Sequence, residues 1–85
     1  MLFLQPPMPD EELRAALTVQ RARRGRLPLA TPNRFHEIAA GCALACNGCG
    51  ETIQPTDVCH RVTLAGLVSM RFHGICYRAW ATFER

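Results

Sequence analysis

The chain has 85 residues, of which 48 % are apolar and 20 % charged, and its formal net charge is +3. A chain of this length forms one domain at most, and its core is too small to be comfortably stable unaided. This composition indicates a globular rather than a disordered chain, and the modest charge does not demand a nucleic-acid partner. The five cysteines, an odd number, argue against a secreted disulfide framework.

The first nine residues contain three prolines and predict an extended arm. The apolar run Leu2-Phe3-Leu4 lacks a basic segment before it and ends at Gln5, so we expect neither a signal peptide nor a membrane span. Cytoplasmic localisation therefore fits best. The same three apolar residues either pack against the domain or offer a surface to a partner.

A helix is predicted from about residue 10 to residue 24. Asp10 suits the N-cap position, and the two glutamates after it suit the positive end of the helix dipole. Gly25 offers a stop. Residues at helical spacing predict one narrow apolar face, made of Leu13, Ala16, Leu17 and Gln20.

The end of this helix carries a dense arginine cluster: Arg21, Arg23, Arg24 and Arg26. Each guanidinium offers a planar set of donors to a phosphate or an acidic partner. Alternatively, the cluster is a solvated helix end whose positive charge suits the dipole. No aromatic residue interleaves with the arginines, which weakens a role in stacking on single-stranded nucleic acid.

The segment 25–34 contains two prolines and predicts a linker, and Thr31-Pro32 predicts the start of a short second helix that ends at Ala40. From residue 43 the pattern predicts a small β unit. Alternating apolar residues indicate two strands, over 58–64 and 68–72, joined by a turn at Ala65-Gly66. A closing helix follows, with one apolar face made of Ile75, Ala79, Trp80 and Phe83.

Two close pairs of ligand residues carry the chemistry of this chain. Cys46-Asn47-Gly48-Cys49 is a CxxC pair, and His73-Gly74-Ile75-Cys76 is an HxxC pair. Together they supply three thiolates and one imidazole, as in a tetrahedral structural zinc site. Gly48 and Gly50 tolerate the positive φ values that a tight metal-binding turn needs. The spacing predicts one structural Zn²⁺ with no open coordination position, bound by Cys46, Cys49, His73 and Cys76.

The remaining cysteines and histidines have simpler interpretations. Cys42 lies four residues before Cys46 and is expected to be a small packed thiol rather than a ligand. Cys59 and His60 are alternative ligands, but adjacent strand residues point to opposite faces. His36 has no neighbour at ligand spacing. A redox role for the CxxC pair lacks the surrounding βαβ pattern.

The order of knuckle, β-hairpin and helix resembles a treble-clef zinc finger, and C-x2-C-x23-H-x2-C resembles the first module of a LIM domain. This resemblance covers residues 43–85 and implies the same four zinc ligands. The segment from Cys46 to Ile53 is also similar to the CxxCG-x-x-I segment of the DksA/TraR family of RNA-polymerase-binding regulators. In that family the second pair is a CxxC at shorter spacing.

These features predict an α+β fold, with an N-terminal arm and helical region over residues 1–42 and a treble-clef zinc finger over 43–85, in one compact domain. We expect a non-catalytic, zinc-binding adaptor or regulator with a protein partner and no membrane association. The main alternative is a nucleic-acid-binding regulator that uses the arginine cluster. A metal-dependent nuclease or redox enzyme comes third, because no motif pairs an acid with a histidine.

Overall fold

A computed structural model describes residues 10–28, 34–40, 43–64 and 68–83 of the chain. The predicted N-terminal arm with Leu2, Phe3 and Leu4, the residue Cys42 and the Ala65-Gly66 turn lie outside these residues. The elements in chain order are α1 (Asp10–Arg23), β1 (Phe35–Ala39), β2 (Cys59–Leu64), β3 (Val68–His73) and α2 (Gly74–Ala81). The predicted α+β class is confirmed. Neither of the described helices has the length and apolarity that crossing a membrane requires.

Helix α1 ends in a Schellman motif, which explains why the helix stops where the sequence predicts. The N–H of Gly25 donates to the carbonyl of Ala22 at 3.1 Å, and the N–H of Arg26 donates to the carbonyl of Arg21 at 2.9 Å. Gly25 has a φ of 73°, a left-handed conformation that side chains with a Cβ rarely adopt. The end of α1 is therefore set by local sequence.

The buried face of α1 differs from the predicted apolar face. Thr18 and Ala22 are buried, whereas Leu13 is 41 % exposed and both Ala16 and Gln20 lie at the surface. Of the predicted face, Leu17 packs partly buried against the core; the other three residues do not, because α1 packs against α2 and a polar loop rather than against an apolar sheet.

The sheet has three antiparallel strands in the order β1-β2-β3. In β2 and β3, Val62 lies opposite Met70 and His60 lies opposite Phe72. Strands β2 and β3 thus form the predicted hairpin, with the turn between them outside the described residues. Strand β1 pairs with the other side of β2, where Ile38 lies opposite His60.

The prediction of a second helix is wrong in the part of that segment that the structure describes. The described part of that segment, residues 34–40, contains the strand Phe35–Ala39 and no helix. A five-residue segment with Phe and Ile has little intrinsic helix stability. The open side of β2 supplies backbone partners instead, so tertiary pairing decides the conformation.

Helix α2 covers one face of the sheet and completes the core. The rings of Trp80 and Phe72 stack with centroids 5.2 Å apart, beside the buried side chains of Val62 and Met70. The indole N–H of Trp80 donates to the carbonyl of Pro28 at 2.6 Å, which ties the segment after α1 to the core. Phe83, predicted on the apolar face of this helix, is half-buried against the core, whereas Val68 at the start of β3 is exposed.

Candidate metal centre

The four side chains predicted as metal ligands lie together at one end of the sheet. Their ligand atoms all lie within 4.8 Å of one another, and all four residues are buried: Cys46, Cys49, His73 and Cys76. Nδ1 of His73 lies 3.5 Å from Sγ of Cys49 and 3.9 Å from Sγ of Cys76. In a tetrahedral zinc site, bond lengths of about 2.3 Å to sulfur and about 2.0 Å to nitrogen place such atoms about 3.5 Å apart. The cluster therefore has dimensions that can hold a metal ion.

The CxxC pair lies on a tight knuckle formed by residues 45–52. Ala45 and Thr52 form an isolated β-bridge at its base. The N–H of Gly48 donates to Sγ of Cys46 at 3.3 Å, and the N–H of Glu51 donates to Sγ of Cys49 at 3.5 Å. Backbone donors thus surround the sulfurs and stabilise their thiolate forms.

The two glycines of the knuckle are needed for different reasons. Gly50 has the expected positive φ, at 87°. Gly48 does not have a positive φ; it is needed because a Cβ there would collide with the hydroxyl of Thr18 and lie 2.9 Å from Cβ of Cys76. The close approach of α1 to the knuckle therefore excludes any side chain at position 48.

Strand β3 and helix α2 hold the HxxC pair against the knuckle. The N–H of Asn47 donates to the carbonyl of Arg71 at 2.7 Å, and the side-chain oxygen of Asn47 accepts from the N–H of Arg71 at 2.8 Å. The N–H of His73 donates to Sγ of Cys46 at 3.4 Å. Cys76 lies in the first turn of α2, where the helix dipole favours a thiolate.

A polar face of α1, which the apolar periodicity does not predict, packs on the knuckle. Arg14 forms an ion pair with Glu51 at 3.3 Å. The guanidinium of Arg21 donates to the carbonyl of Asn47 at 3.1 Å. With Thr18 between them, these residues follow the i, i+4, i+7 spacing of one helix face. This spacing of polar residues predicts the packed face of α1 only when the helix is already known to face a polar loop.

The thiols of the cluster differ in their readiness to ionise. A hydrogen bond from the Cys76 side chain, helped by backbone N–H groups, lowers the pKa of Cys46 to about 4. The same hydrogen bond and burial raise the pKa of Cys76, and burial raises the pKa of Cys49. Cys46 is therefore the thiol of the cluster that loses its proton most readily. The other two thiols lose their protons when a cation binds, so binding releases protons.

The other candidate residues are not part of the cluster, although Cys59 lies opposite His73 in the β2–β3 pairing. Cys59 is itself buried. The neighbouring His60 is near His36, whose Nε2 lies 2.8 Å from His60 Nδ1. The expectation that Cys59 and His60 do not share a site agrees with this arrangement. Among the described cysteines no disulfide is present.

His36, His60 and Tyr77 form a stacked group that the sequence does not reveal. The rings of His36 and Tyr77 lie 4.0 Å apart and nearly parallel, at 11°. Burial lowers the pKa of His60, and the nearby charges of His36 and Arg78 lower it further. Arg34 lies over the Tyr77 ring at 5.7 Å, so an arginine covers this stacked group.

The lowered pKa of His60 predicts a loss of stability in mild acid. Below its unfolded pKa of about 6.5, His60 binds a proton more readily in the unfolded chain, so the free energy of unfolding falls as pH falls and levels off below the folded pKa. Urea unfolding of zinc-loaded protein between pH 7.5 and 5.5 measures this. His60→Gln should show a shallower decline than the wild type. Equal declines in the two proteins contradict the prediction.

Comparisons with known proteins do not extend these findings: no family model, curated protein or solved structure matches the chain. The class of protein therefore follows from the fold and the cluster of ligand residues. It is a small α+β protein with a buried cluster of three cysteines and one histidine that can hold a metal ion.

Proposed function

We propose that this chain is a zinc-binding protein whose single Zn²⁺ is structural. The observation that carries the proposal is the convergence of a CxxC and an HxxC pair within 4.8 Å, with all four side chains buried. Three thiolates and an imidazole in a tetrahedral arrangement suit Zn²⁺, whereas common iron–sulfur clusters are held by four thiolates. Four protein ligands leave no position for a reacting water, so the metal has a folding role.

The arrangement of elements supports a treble-clef zinc finger. A knuckle with the first ligand pair precedes the β2–β3 hairpin, and α2 carries the last ligand in its first turn. Helix α1 and strand β1 are additions to that unit: α1 packs on the knuckle and α2, and β1 extends the sheet.

We propose further that the protein is a cytoplasmic, non-catalytic adaptor or regulator with a protein partner. Strand β1 lies at the edge of the sheet and has two exposed apolar side chains, Phe35 at 59 % and Ile38 at 64 %. Exposed apolar residues on an edge strand favour pairing with another chain. These two residues therefore support a protein contact at β1.

The test is a pull-down from nuclease-treated lysate with tagged wild type and with a Phe35→Ser, Ile38→Ser variant. The proposal expects a stoichiometric protein partner that binds the wild type and is lost from the variant, with zinc content unchanged in native mass spectrometry. Glu37→Gln changes the same strand without removing apolar surface and is the matched control. Equal recovery by all three proteins contradicts a contact at β1.

Nucleic-acid binding is the alternative function, and three exposed arginines support it. Arg23, Arg24 and Arg26 are exposed at the end of α1, whereas Arg21 already bonds to the knuckle. The predicted cluster is therefore reduced to three available guanidinium groups. Phosphate contacts by these groups give a binding constant that falls steeply with salt.

Replacement of Arg23, Arg24 and Arg26 by glutamate separates the two functions. For a protein adaptor, we expect only a stability change of a few tenths to about 1 kcal/mol per site, from the helix dipole. For a nucleic-acid binder, each lost contact flattens the log–log salt dependence by about one unit. Fluorescence anisotropy with DNA and RNA over a salt series measures this. A salt-dependent affinity of the wild type that the variant loses overturns our preference.

A further inference from the structure

Within the described part of the chain, the second ring nitrogen of His73, Nε2, has no hydrogen-bond partner. Because Nδ1 faces the sulfurs of Cys49 and Cys76, a metal bound at Nδ1 leaves the proton of the neutral imidazole on Nε2. The His73 side chain is only 5 % exposed, and Nε2 is buried without a hydrogen-bond partner among the described residues. Buried donors are almost always satisfied, so this N–H needs an acceptor.

Among the described residues, the carboxylate nearest to this nitrogen is that of Asp57, whose Oδ2 lies 3.9 Å from Nε2 of His73. The loop before β2 holds this carboxylate in place. The N–H of Gln54 donates to Oδ2 of Asp57 at 3.1 Å, and the N–H of Asp57 donates to the carbonyl of Gln54 at 2.9 Å. The position of the acceptor is therefore set by the loop and does not depend on the metal.

The distance between the two groups suits a direct hydrogen bond after a small movement of the carboxylate. His73 and Asp57 line the same polar cleft, with a volume of about 290 Å³, at the start of α2. A separation of 3.9 Å exceeds a direct hydrogen bond, and a small rotation of the carboxylate closes it. Glu11 also lines the cleft, but no contact joins it to His73.

We propose that Asp57 is the positioning residue of the metal centre: it accepts a hydrogen bond from Nε2–H of His73 and holds Nδ1 toward the metal. The inference rests on the proposed zinc function. A carboxylate in this position keeps the ring in one tautomer and raises the basicity of the ligating nitrogen. Asp57 therefore acts through His73 and does not touch the metal.

The test uses the full chain and three variants: Asp57→Asn, Asp57→Glu and Glu11→Gln. Asparagine still accepts the Gln54 N–H through its side-chain oxygen, so the loop is retained while the charge is lost. Glu11→Gln removes a carboxylate from the same cleft and is the matched control. Zinc affinity is measured by competition with a chromogenic chelator at constant pH.

We expect Asp57→Asn to bind Zn²⁺ about 10- to 100-fold more weakly than the wild type. Asp57→Glu should restore much of the loss, and Glu11→Gln should match the wild type. Two further measurements stay unchanged if Asp57 only stabilises the loop. They are the visible absorption of the Co²⁺-substituted protein and the ¹⁵N shift of His73 Nε2. Both should change in Asp57→Asn.

The outcomes separate the two proposals. A wild type that takes up no zinc overturns the proposed function, and the role of Asp57 falls with it. Zinc binding by the wild type with the same affinity, Co²⁺ spectrum and ¹⁵N shift in Asp57→Asn overturns the role of Asp57 alone. An equal loss in Glu11→Gln also overturns it, because the effect is then one of charge in the cleft.

Discussion

Replacement of Cys76 by alanine is expected to abolish zinc binding and leave the chain largely unfolded. Cys76 is fully buried between α1, the knuckle and the sheet. The apparent binding free energy of a structural zinc is about 10–16 kcal/mol, which equals or exceeds the total stability of a typical domain, about 5–15 kcal/mol. Loss of one ligand removes most of that energy. Native mass spectrometry and far-UV circular dichroism measure the two effects.

The same result is expected for alanine at each of the other three ligands, and zinc removal by a chelator should reproduce it reversibly. Cys59→Ala is the matched control, since Cys59 is a buried cysteine outside the cluster. It should keep one zinc per chain and lose little helix signal. Full zinc retention in a Cys49→Ala, Cys76→Ala double variant contradicts the assignment of the ligands.

The features that the sequence predicts well are those with local causes. The Schellman motif at Gly25 depends on a few adjacent residues, and the end of α1 agrees with the prediction. The alternation of apolar and polar residues in β2 and β3 indicates that one face of each strand is buried, and the predicted hairpin follows from this pattern. The two ligand pairs are local as well, so their convergence in the structure is the expected consequence of a hairpin between them.

The features that the sequence did not predict depend on contacts between residues that are far apart in the chain. Strand β1 is a strand because β2 offers an open edge 20 or more residues away, as the pairing of Phe35 with Thr63 illustrates. Thr18 is buried because Gly48 leaves room for its hydroxyl. His36 meets His60 only through the same long-range pairing. No local pattern in the chain encodes these contacts.

Replacement of Trp80 by alanine is expected to destabilise the protein by about 3–5 kcal/mol, even with zinc bound. Trp80 is buried, stacks on Phe72 at 5.2 Å and lies under the guanidinium of Arg34 at 5.5 Å. Removal of the indole leaves a cavity and an unpaired carbonyl at Pro28. Urea unfolding of the zinc-loaded variant, followed by circular dichroism, measures the change.

Trp80→Phe separates the two contributions of this side chain. It keeps an aromatic ring next to Phe72 but loses the hydrogen bond to Pro28, so its cost should be clearly smaller than that of Trp80→Ala. Because Trp80 is not one of the four ligand residues, Trp80→Ala should still bind one zinc when it folds. A Trp80→Ala protein as stable as the wild type places the indole outside the core. In that case the zinc centre, rather than the packing of α2 on the sheet, supplies nearly all the stability of the fold.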